Sequence, residues 1–244
     1  MVTIVGGSTA PEPIPLVITR RALDEDIKKM SELFTGKENE RNWEPRENML
    51  QHFRRIVRGN SSEIDSYSSS IRFGIEIVCK STTSLRTTLV ITACATLVDV
   101  CYYFKEHSDI TTEMILLALI KVCGSSKKLL SNTGFNAVRV LITFTPWNHR
   151  YSHILAGFST DKNPLIRQVA AECVSLLLMK SERDPSLRSH FDRGDALQQF
   201  ELTIRKALTD ASPPAREFGK DAFHYLNLIW PSHADQLSSA NLDL

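Results

Sequence analysis

Five basic residues recur along the chain, each close to the start of a predicted amphipathic helix. They are separated by about 40 residues, or about 49 at the last step, and are Arg46, Arg86, Lys128, Arg167 and Arg216. Spacings of about 40–47 residues are typical of HEAT-type helical pairs. Because equivalent residues of stacked repeats fall on one edge, we expect the five cations to form a row. Trp43 precedes the first of them, so this row is a candidate binding site for an acidic, partly apolar protein surface.

These residues have a functional and a structural interpretation. A cation at a helix N-terminus opposes the helix dipole by up to about 1 kcal/mol, and such conflicts with local preference concentrate at functional sites. Alternatively, an arginine such as Arg86 or Arg167 pairs with an acidic residue of the next repeat and stiffens the stack. Trp43 is either core or exposed; its polar neighbours in ERNWE favour exposure, and exposed tryptophan beside arginine is typical of interface hot spots. Trp147 and Trp230 are expected to be structural.

Predicted helices must position these side chains. Helical periodicity dominates after residue 20, and five helical pairs can be placed, the first of them formed by DEDIKKMSELF and PRENMLQHFRRIVRG. We therefore expect an all-α HEAT-repeat solenoid over residues 21–235, a flexible arm over 1–20 and a frayed tail over 236–244. Either residues 181–200 contain short helices that complete a sixth pair, or the pairing is offset by one unit.

Proline and polar residues predict where several helices begin. Pro45, Pro164 and Pro213 are suited to the first position of a helix, where a missing N–H does no harm. Asn163 and Ser212 precede two of these prolines and are predicted to be N-caps.

Composition excludes several classes of protein. The chain has 244 residues, 42% of them hydrophobic and 23% charged, which is ordinary for a chain with a real core. A net charge of +1 argues against non-specific nucleic-acid binding. The five cysteines show no CxxC spacing and are predicted to be buried and reduced. Neither a secretory signal nor a membrane-spanning run of about 20 apolar residues is present, so we expect a soluble cytosolic protein.

Catalytic and metal-binding patterns are absent or weak. GGSTA lacks the lysine of a phosphate-binding loop, and no GxSxG motif occurs. His149 and His153 have the spacing of two metal ligands on a helix, but Arg150 lies between them and no catalytic glutamate is adjacent. We therefore expect neither an enzyme nor a cofactor.

One segment is specific enough to indicate a family. ENERNWEPRENML resembles the opening of a TOG domain from the CLASP family of microtubule-associated proteins, in which a loop rich in Glu and Asn carries tryptophan. The later segments resemble the second to fifth loops of such a domain and their helices: TSLRTTLVITACATL, SSKKLLSNTGFNAV, NPLIRQVAAECVSLL and PPAREFGKDAFHYL. The resemblance covers residues 20–232 and is greatest to the second TOG domain of fungal CLASPs.

This resemblance implies a paddle of six HEAT-like repeats whose narrow edge contacts αβ-tubulin. Trp43 matches the tryptophan that contacts an apolar patch on β-tubulin. Arg46 matches the basic residue that follows this tryptophan in the family. The cations of the second to fifth loops are then Arg86, Lys128 (or its neighbour Lys127), Arg167, and Arg216 with Lys220.

The resemblance also implies a role in microtubule dynamics. Catastrophe suppression or rescue would be exerted at microtubules and the mitotic spindle, in the cytoplasm or in the nucleus during closed mitosis, by a domain that is monomeric within a larger protein. No nucleic acid or membrane is expected as a partner. The alternatives are a HEAT scaffold that binds a peptide in its concave face and, less compatible with the net charge, a HEAT-like DNA glycosylase. The preference for free tubulin or the lattice stays open.

Overall fold

The computed structural model describes residues 13–60, 64–104 and 109–240, and these residues form helices and connecting turns without a strand. Twelve helices are described. They belong to two compact units, with the boundary between Thr145 and Pro146. The predicted all-α fold is confirmed. In the described ranges, none of the helices combines the length and apolar character required to span a membrane.

Unit 1 contains the first three helical pairs. Its helices are α1 (Arg20–Phe34), α2 (Trp43–Gly59), α3 (Ile64–Ser81), α4 (Thr87–Tyr103), α5 (Asp109–Cys123) and α6 (Lys128–Phe144). They alternate between two layers, because α3 packs between α1 and α5 while α4 packs between α2 and α6. This is the stacking expected of HEAT repeats, in which each pair buries its apolar faces against its neighbours.

Helix α4 forms because of its position in this stack. It is rich in threonine and β-branched residues, which lose side-chain freedom in a helix. Both flanking helices of its layer cover it, so that Leu89, Ala93 and Leu97 are at most 1% exposed. Burial of these side chains therefore stabilises a helix that its composition alone would not support.

A buried charge cluster sets the register between α2 and α4. Arg54 and Arg58 both donate to Asp99 Oδ2, at 2.5 and 2.8 Å, and Asp99 is 4% exposed. A carboxylate at this depth must be matched by charge and hydrogen bonds. Any slip of α2 along α4 would separate the two guanidinium groups from it.

An extended segment before α1 is tied to the C-terminal end of α2. Leu16 N donates to Arg55 O at 2.9 Å, and the side-chain amide of Asn60 accepts from Ile18 N and donates to Leu16 O. Asn60 is only 2% exposed, and a buried amide requires such partners. Gly59 permits this approach, since a Cβ there would lie 2.3 Å from Leu16 O.

The predicted arm and tail lie only partly within the described ranges. Within the predicted arm of residues 1–20, the described segment 14–18 is held on unit 1, and residues 1–12 lie outside the described ranges. Within the predicted tail, residues 236–240 continue the last helix, and residues 241–244 again lie outside.

Unit 2 contains two pairs and two additional short helices. Its helices are α7 (Arg150–Phe158), α8 (Pro164–Arg183), α9 (Pro185–Asp192), α10 (Ala196–Leu208), α11 (Pro213–Ile229) and α12 (Pro231–Ala240). The pairs α7–α8 and α10–α11 stack through α7 on α10 and α8 on α11. Residues 181–200 therefore do contain a short helix, α9, which packs on α8 and α10, while α12 packs on α10 and α11.

Aromatic rings hold α9 in place. Edge-to-face contacts with centroid separations of 4.8 to 6.0 Å join Trp147 to the rings of Tyr151, Phe191 and Phe200. Trp230 lies 6.0 Å from Phe191 and donates its indole N–H to Asp192 Oδ1 at 2.7 Å. The expectation that Trp147 and Trp230 are structural is confirmed.

The predicted helix starts are confirmed at α8 and differ at α2. Asn163 caps α8 by accepting from Leu165 N at 3.0 Å, with Pro164 in the first turn. Ser212 occupies the N-cap position of α11, although its hydroxyl makes no capping bond. The prediction for Pro45 was wrong by two residues, because α2 begins at Trp43; proline is tolerated anywhere in the first turn, where its missing N–H has no intrahelical partner.

Replacing Gly59 with alanine should displace residues 14–18 from α2, because the new Cβ would overlap the Leu16 backbone. We expect faster hydrogen exchange at Leu16 and Ile18 and a lower free energy of unfolding. The matched control is Gly157→Ala in α7, where a Cβ meets nothing within 4 Å. It should stabilise the protein by up to about 1 kcal/mol, since glycine disfavours a helix. Equal exchange rates in wild type and Gly59→Ala would contradict this role.

Candidate functional site

The predicted site residues, apart from Lys220 farther along α11, lie in the turns inside the helical pairs or in the first turn of the following helix. We number these turns 1 (residues 35–42), 2 (82–86), 3 (124–127), 4 (159–163) and 5 (209–212). Turns 2 to 5 end alike: a side-chain oxygen accepts the backbone N–H two residues later, and that later residue is the extended N-cap of the next helix. The acceptor and N-cap pairs are Ser84 and Arg86, Ser125 and Lys127, Asp161 and Asn163, and Asp210 and Ser212.

These turns correct the register of the predicted row. Arg86 and Lys127 are N-caps, and Lys128 is the first residue of its helix. Arg46, Arg167 and Arg216 instead follow their N-caps by four residues, since their backbone N–H groups donate to Asn42 O, Asn163 O and Ser212 O. The expectation of five equivalent positions was therefore wrong, because a period of about 40 residues does not determine the phase of a helix within each repeat.

The arginines four residues after an N-cap bind the carbonyl groups of their own turn. Arg46 is 5% exposed and donates to Leu33 O, Thr35 O and Gly36 O at 3.1 to 3.3 Å. Its guanidinium also lies 5.1 Å from the centroid of the Phe34 ring. These carbonyls lie in the last turn of α1 or directly after it, where helical partners are missing, so the guanidinium group satisfies them.

Turns 4 and 5 are joined by one carboxylate. Arg167 donates twice to Asp210, at 2.6 Å to Oδ2 and 3.0 Å to Oδ1, and also to Asp161 O at 2.9 Å. Arg216 donates to the backbone oxygens of Asp210 and Ala211. The structural interpretation of Arg167, pairing with an acid of the next repeat, therefore holds. These hydrogen bonds from Arg167 also lower the pKa of the Asp210 carboxyl, against the effect of burial.

Turns 1 and 2 are likewise joined, and turn 3 is bonded to the start of α4, here through exposed or half-exposed groups. Arg86 forms an ion pair with Glu40 of turn 1, and its guanidinium lies 5.9 Å from the Trp43 ring centroid. Ser84 Oγ donates to Glu38 at 2.6 Å, and Lys127 Nζ donates to Thr87 Oγ1 at 3.2 Å. The structure thus brings Trp43, Arg86 and Lys127 together.

Trp43 is half-buried at the first position of α2, between the two predicted alternatives of core and exposed residue. Arg86 occupies a position over its ring. An aromatic side chain in this state retains apolar area for a partner while a cation lies beside it, the combination common at interface hot spots.

The remaining predicted cations are exposed. Lys128 lies at the start of α6, and Lys220 on α11 pairs with Glu217 at 2.9 Å in solvent. The sequence analysis did not single out Glu40 and Asp210, the acids that hold Arg86 and Arg167. The only signal in the sequence was that each acid lies in a turn about one repeat from the arginine it binds. Glu40 is 46 residues from Arg86, and Asp210 is 43 residues from Arg167.

One of the two histidines considered as metal ligands, His153, pairs with an acidic residue instead. His153 Nε2 lies 2.9 Å from Asp195 Oδ2, with both side chains about half exposed. Over the residues that the structure describes, no group of three or more histidine, cysteine or acidic side chains is arranged to hold a metal ion.

Replacing Asp210 with asparagine should remove an acid-sensitive stabilisation. The pKa of Asp210 lies below its ordinary value of 3.8, so its contribution is complete above pH 4 and is lost as the pH falls through the folded-state pKa. We expect the variant to be less stable than wild type by about 2 kcal/mol at pH 7, with the difference shrinking below pH 4. Urea unfolding at pH 7 and again below pH 4 measures this difference in stability. The control Asp221→Asn, exposed on α11, should match wild type; a pH-independent loss would show that shape rather than charge matters.

Comparison with known proteins identifies the family and the fold. The model of the family described as "CLASP N terminal" matches residues 23–243. The chain is 32% identical to protein STU1 of Gibberella zeae and 30% identical to protein stu-1 of Neurospora crassa. Each match covers 98% of this chain but 21% of the relative, so the chain spans about a fifth of the length of these curated relatives.

Two solved structures share the fold. One concerns tubulin recruitment and assembly by microtubule polymerases with TOG domain arrays: the TM-score is 0.67 at 16% identity, covering 92% of this chain and 44% of that one. The other concerns TOG–tubulin binding specificity, with a TM-score of 0.59 at 10% identity and coverage of 93% and 91%. The chain therefore belongs to the CLASP N-terminal family and has the fold of a TOG domain, as the tryptophan motif predicted.

Proposed function

We propose that this domain binds αβ-tubulin through its intra-pair turns and thereby regulates microtubule dynamics. The observation that carries the proposal is that Arg86 of turn 2 lies over the half-buried Trp43, with Lys127 of turn 3 bonded to Thr87 directly after Arg86. Membership of the CLASP family and the fold shared with TOG domains of tubulin-recruiting polymerases support it. The relatives extend well beyond this chain, so the domain would act as one module of a longer protein.

In this proposal Trp43 supplies the buried apolar area. A half-exposed indole can bury its remaining surface against an apolar patch of tubulin, and burial of aromatic area dominates the energy of many interfaces. Glu40 is 78% exposed and holds Arg86 at the ring. The ion pair is solvent-exposed and contributes little to stability, so Arg86 can exchange Glu40 for a carboxylate of the partner at little loss.

The other cations divide into two roles. Lys127, Lys128 and Lys220 are exposed, and would steer and orient the domain on an acidic surface. The arginines that bind their own turns, Arg46, Arg167 and Arg216, would act mainly by keeping the backbone of those turns in place before binding. A turn ordered in advance reduces the entropy lost on association.

A fixed arrangement of the turns within unit 1 would also explain an effect on dynamics. A rigid binding surface fits one curvature of tubulin better than another, and a ligand shifts an equilibrium by its differential affinity for the two states. The expected results are catastrophe suppression or rescue, and localisation to microtubules and the spindle, with entry into the nucleus during closed mitosis as a further proposal. Binding, rather than catalysis, is the proposed activity.

Trp43→Ala should abolish binding while the domain stays folded. The matched control is Phe73→Ala on α3, which removes an aromatic side chain that is 43% exposed and lies outside the turns. Co-sedimentation with stabilised microtubules and gel filtration with free tubulin measure both forms of the partner. We expect at least a tenfold loss for Trp43→Ala and none for the control. Loss of helical content in Trp43→Ala would identify the ring as core, and binding of a peptide without tubulin would favour a general HEAT scaffold.

Reversing the charges of Lys127 and Lys128 to glutamate should slow association, because both are exposed on the binding turns. The control is Arg20→Glu with Arg21→Glu. It makes the same change in net charge at the N-terminal end of α1, which is the end away from turn 1. Stopped-flow association at low and physiological salt should show a slower rate for the lysine pair, with the difference narrowing as salt screens the charges. Equal slowing in both variants would mean that net charge alone acts.

A further inference from the structure

Leu85 is the most exposed of the large hydrophobic residues in the described part of the chain. It lies in turn 2, directly before Arg86, and 91% of its surface is accessible. Burying a leucine side chain stabilises a protein by about 1.5–3 kcal/mol, so this residue contributes almost nothing of that kind to the fold. Its apolar surface is available to a partner.

The fold does not require an apolar residue at this position. Turns 2 to 5 share the same ending, and the residues directly before their N-caps are Leu85, Ser126, Lys162 and Ala211. Serine, lysine and alanine serve the same backbone geometry. The leucine of turn 2 therefore needs an explanation outside the turn itself.

Single exposed leucines are common on protein surfaces, but Leu85 is not isolated. The next residue, Arg86, lies over Trp43, and Leu129, beside Lys128, is 54% exposed at the start of α6. We call these six residues the unit 1 turn surface: Trp43, Leu85, Arg86, Lys127, Lys128 and Leu129. This surface combines three apolar and three basic side chains; turn 2 is bonded to turn 1, and Lys127 of turn 3 is bonded to Thr87 at the start of α4.

We propose that Leu85 is a second apolar anchor of this surface, beside Trp43, with Leu129 contributing at its margin. The partner surface that fits would present an apolar depression bordered by carboxylates, to receive Leu85 and to pair with Arg86, Lys127 and Lys128. This inference rests on the proposed binding of tubulin and adds a specific contact to it: turn 2 binds by burial as well as by charge.

Leu85 is also presented on an ordered backbone. Ser84, directly before it, accepts the N–H of Arg86 at 3.0 Å and donates its hydroxyl to Glu38 at 2.6 Å. The start of the turn is closed by Thr82, whose hydroxyl donates to Cys79 O at 2.7 Å. With the backbone on both sides of Leu85 already fixed, binding would order only its own side chain, which favours a leucine anchor over one on a flexible loop.

The test compares Leu85→Ser with a matched control, Leu228→Ser, which removes a leucine that is 55% exposed on α11. Affinities for tubulin and for stabilised microtubules are measured together with thermal unfolding. We expect binding by Leu85→Ser to weaken at least tenfold, Leu228→Ser to match wild type, and both variants to unfold at the wild-type temperature. Leu85→Met, which keeps an apolar side chain of similar size, should retain most of the affinity.

Different results separate this inference from the proposed function. If Trp43→Ala weakens binding and Leu85→Ser does not, the inference is wrong and the proposed function stands. If wild type itself does not bind tubulin, both are wrong. A lower unfolding temperature for Leu85→Ser would show that the side chain serves the fold and would overturn the inference, as would equal weakening by Leu228→Ser.

Discussion

Much of the structure depends on how unpaired backbone carbonyls are satisfied at the turns inside the helical pairs. Water could bind these groups, but a turn held only by water would be mobile. In three of the described pairs the second helix instead carries, four residues after its N-cap, an arginine that donates back to these carbonyls: Arg46, Arg167 and Arg216. Arg188 of α9 makes the same kind of contact with the last turn of α8. The guanidinium fork suits this task because it presents several donors in one plane. In these pairs the start of the second helix is thereby tied to the turn before it.

This arrangement also separates two uses of positive charge. In unit 2, Arg167 and Arg216 bind the turns and Asp210, so much of their charge is matched inside the protein. In unit 1, Arg86 and Lys127 are N-caps, and their side chains reach the preceding turn or helix across exposed surface. A cation matched by a well-packed carboxylate or carbonyl is costly to redirect, whereas an exposed pair exchanges partners easily. The unit 1 turn surface is therefore the better candidate for direct contact with an acidic partner.

The helices could be predicted from the sequence because they depend on neighbours close in sequence, and the family could be predicted because the tryptophan motif is a continuous segment. Apolar spacing placed the five pairs, Asn163 and Pro164 marked the start of α8, and ENERNWEPRENML indicated the family. The candidate site was predicted less completely. The period of the cations suggested five equivalent positions, but the helices differ in length and the N-caps are unevenly spaced, so Arg86 is an N-cap whereas Arg167 lies four residues after one. Leu85 was overlooked because the sequence does not show whether a leucine in a turn is buried against the protein or exposed to solvent.

The sequence by itself determined the all-α class, the repeated pairing of helices and the identity of the residues at the turns, since periodicity and capping are local properties. Only the tertiary structure decided what each charge does. Glu40 and Asp210 find Arg86 and Arg167 about one repeat away because stacking brings successive turns side by side. The same stacking half-buries Trp43 and leaves Leu85 in solvent. Exposure and ion pairing are properties of the packed array, since they depend on which turns become neighbours, and no single repeat contains that information.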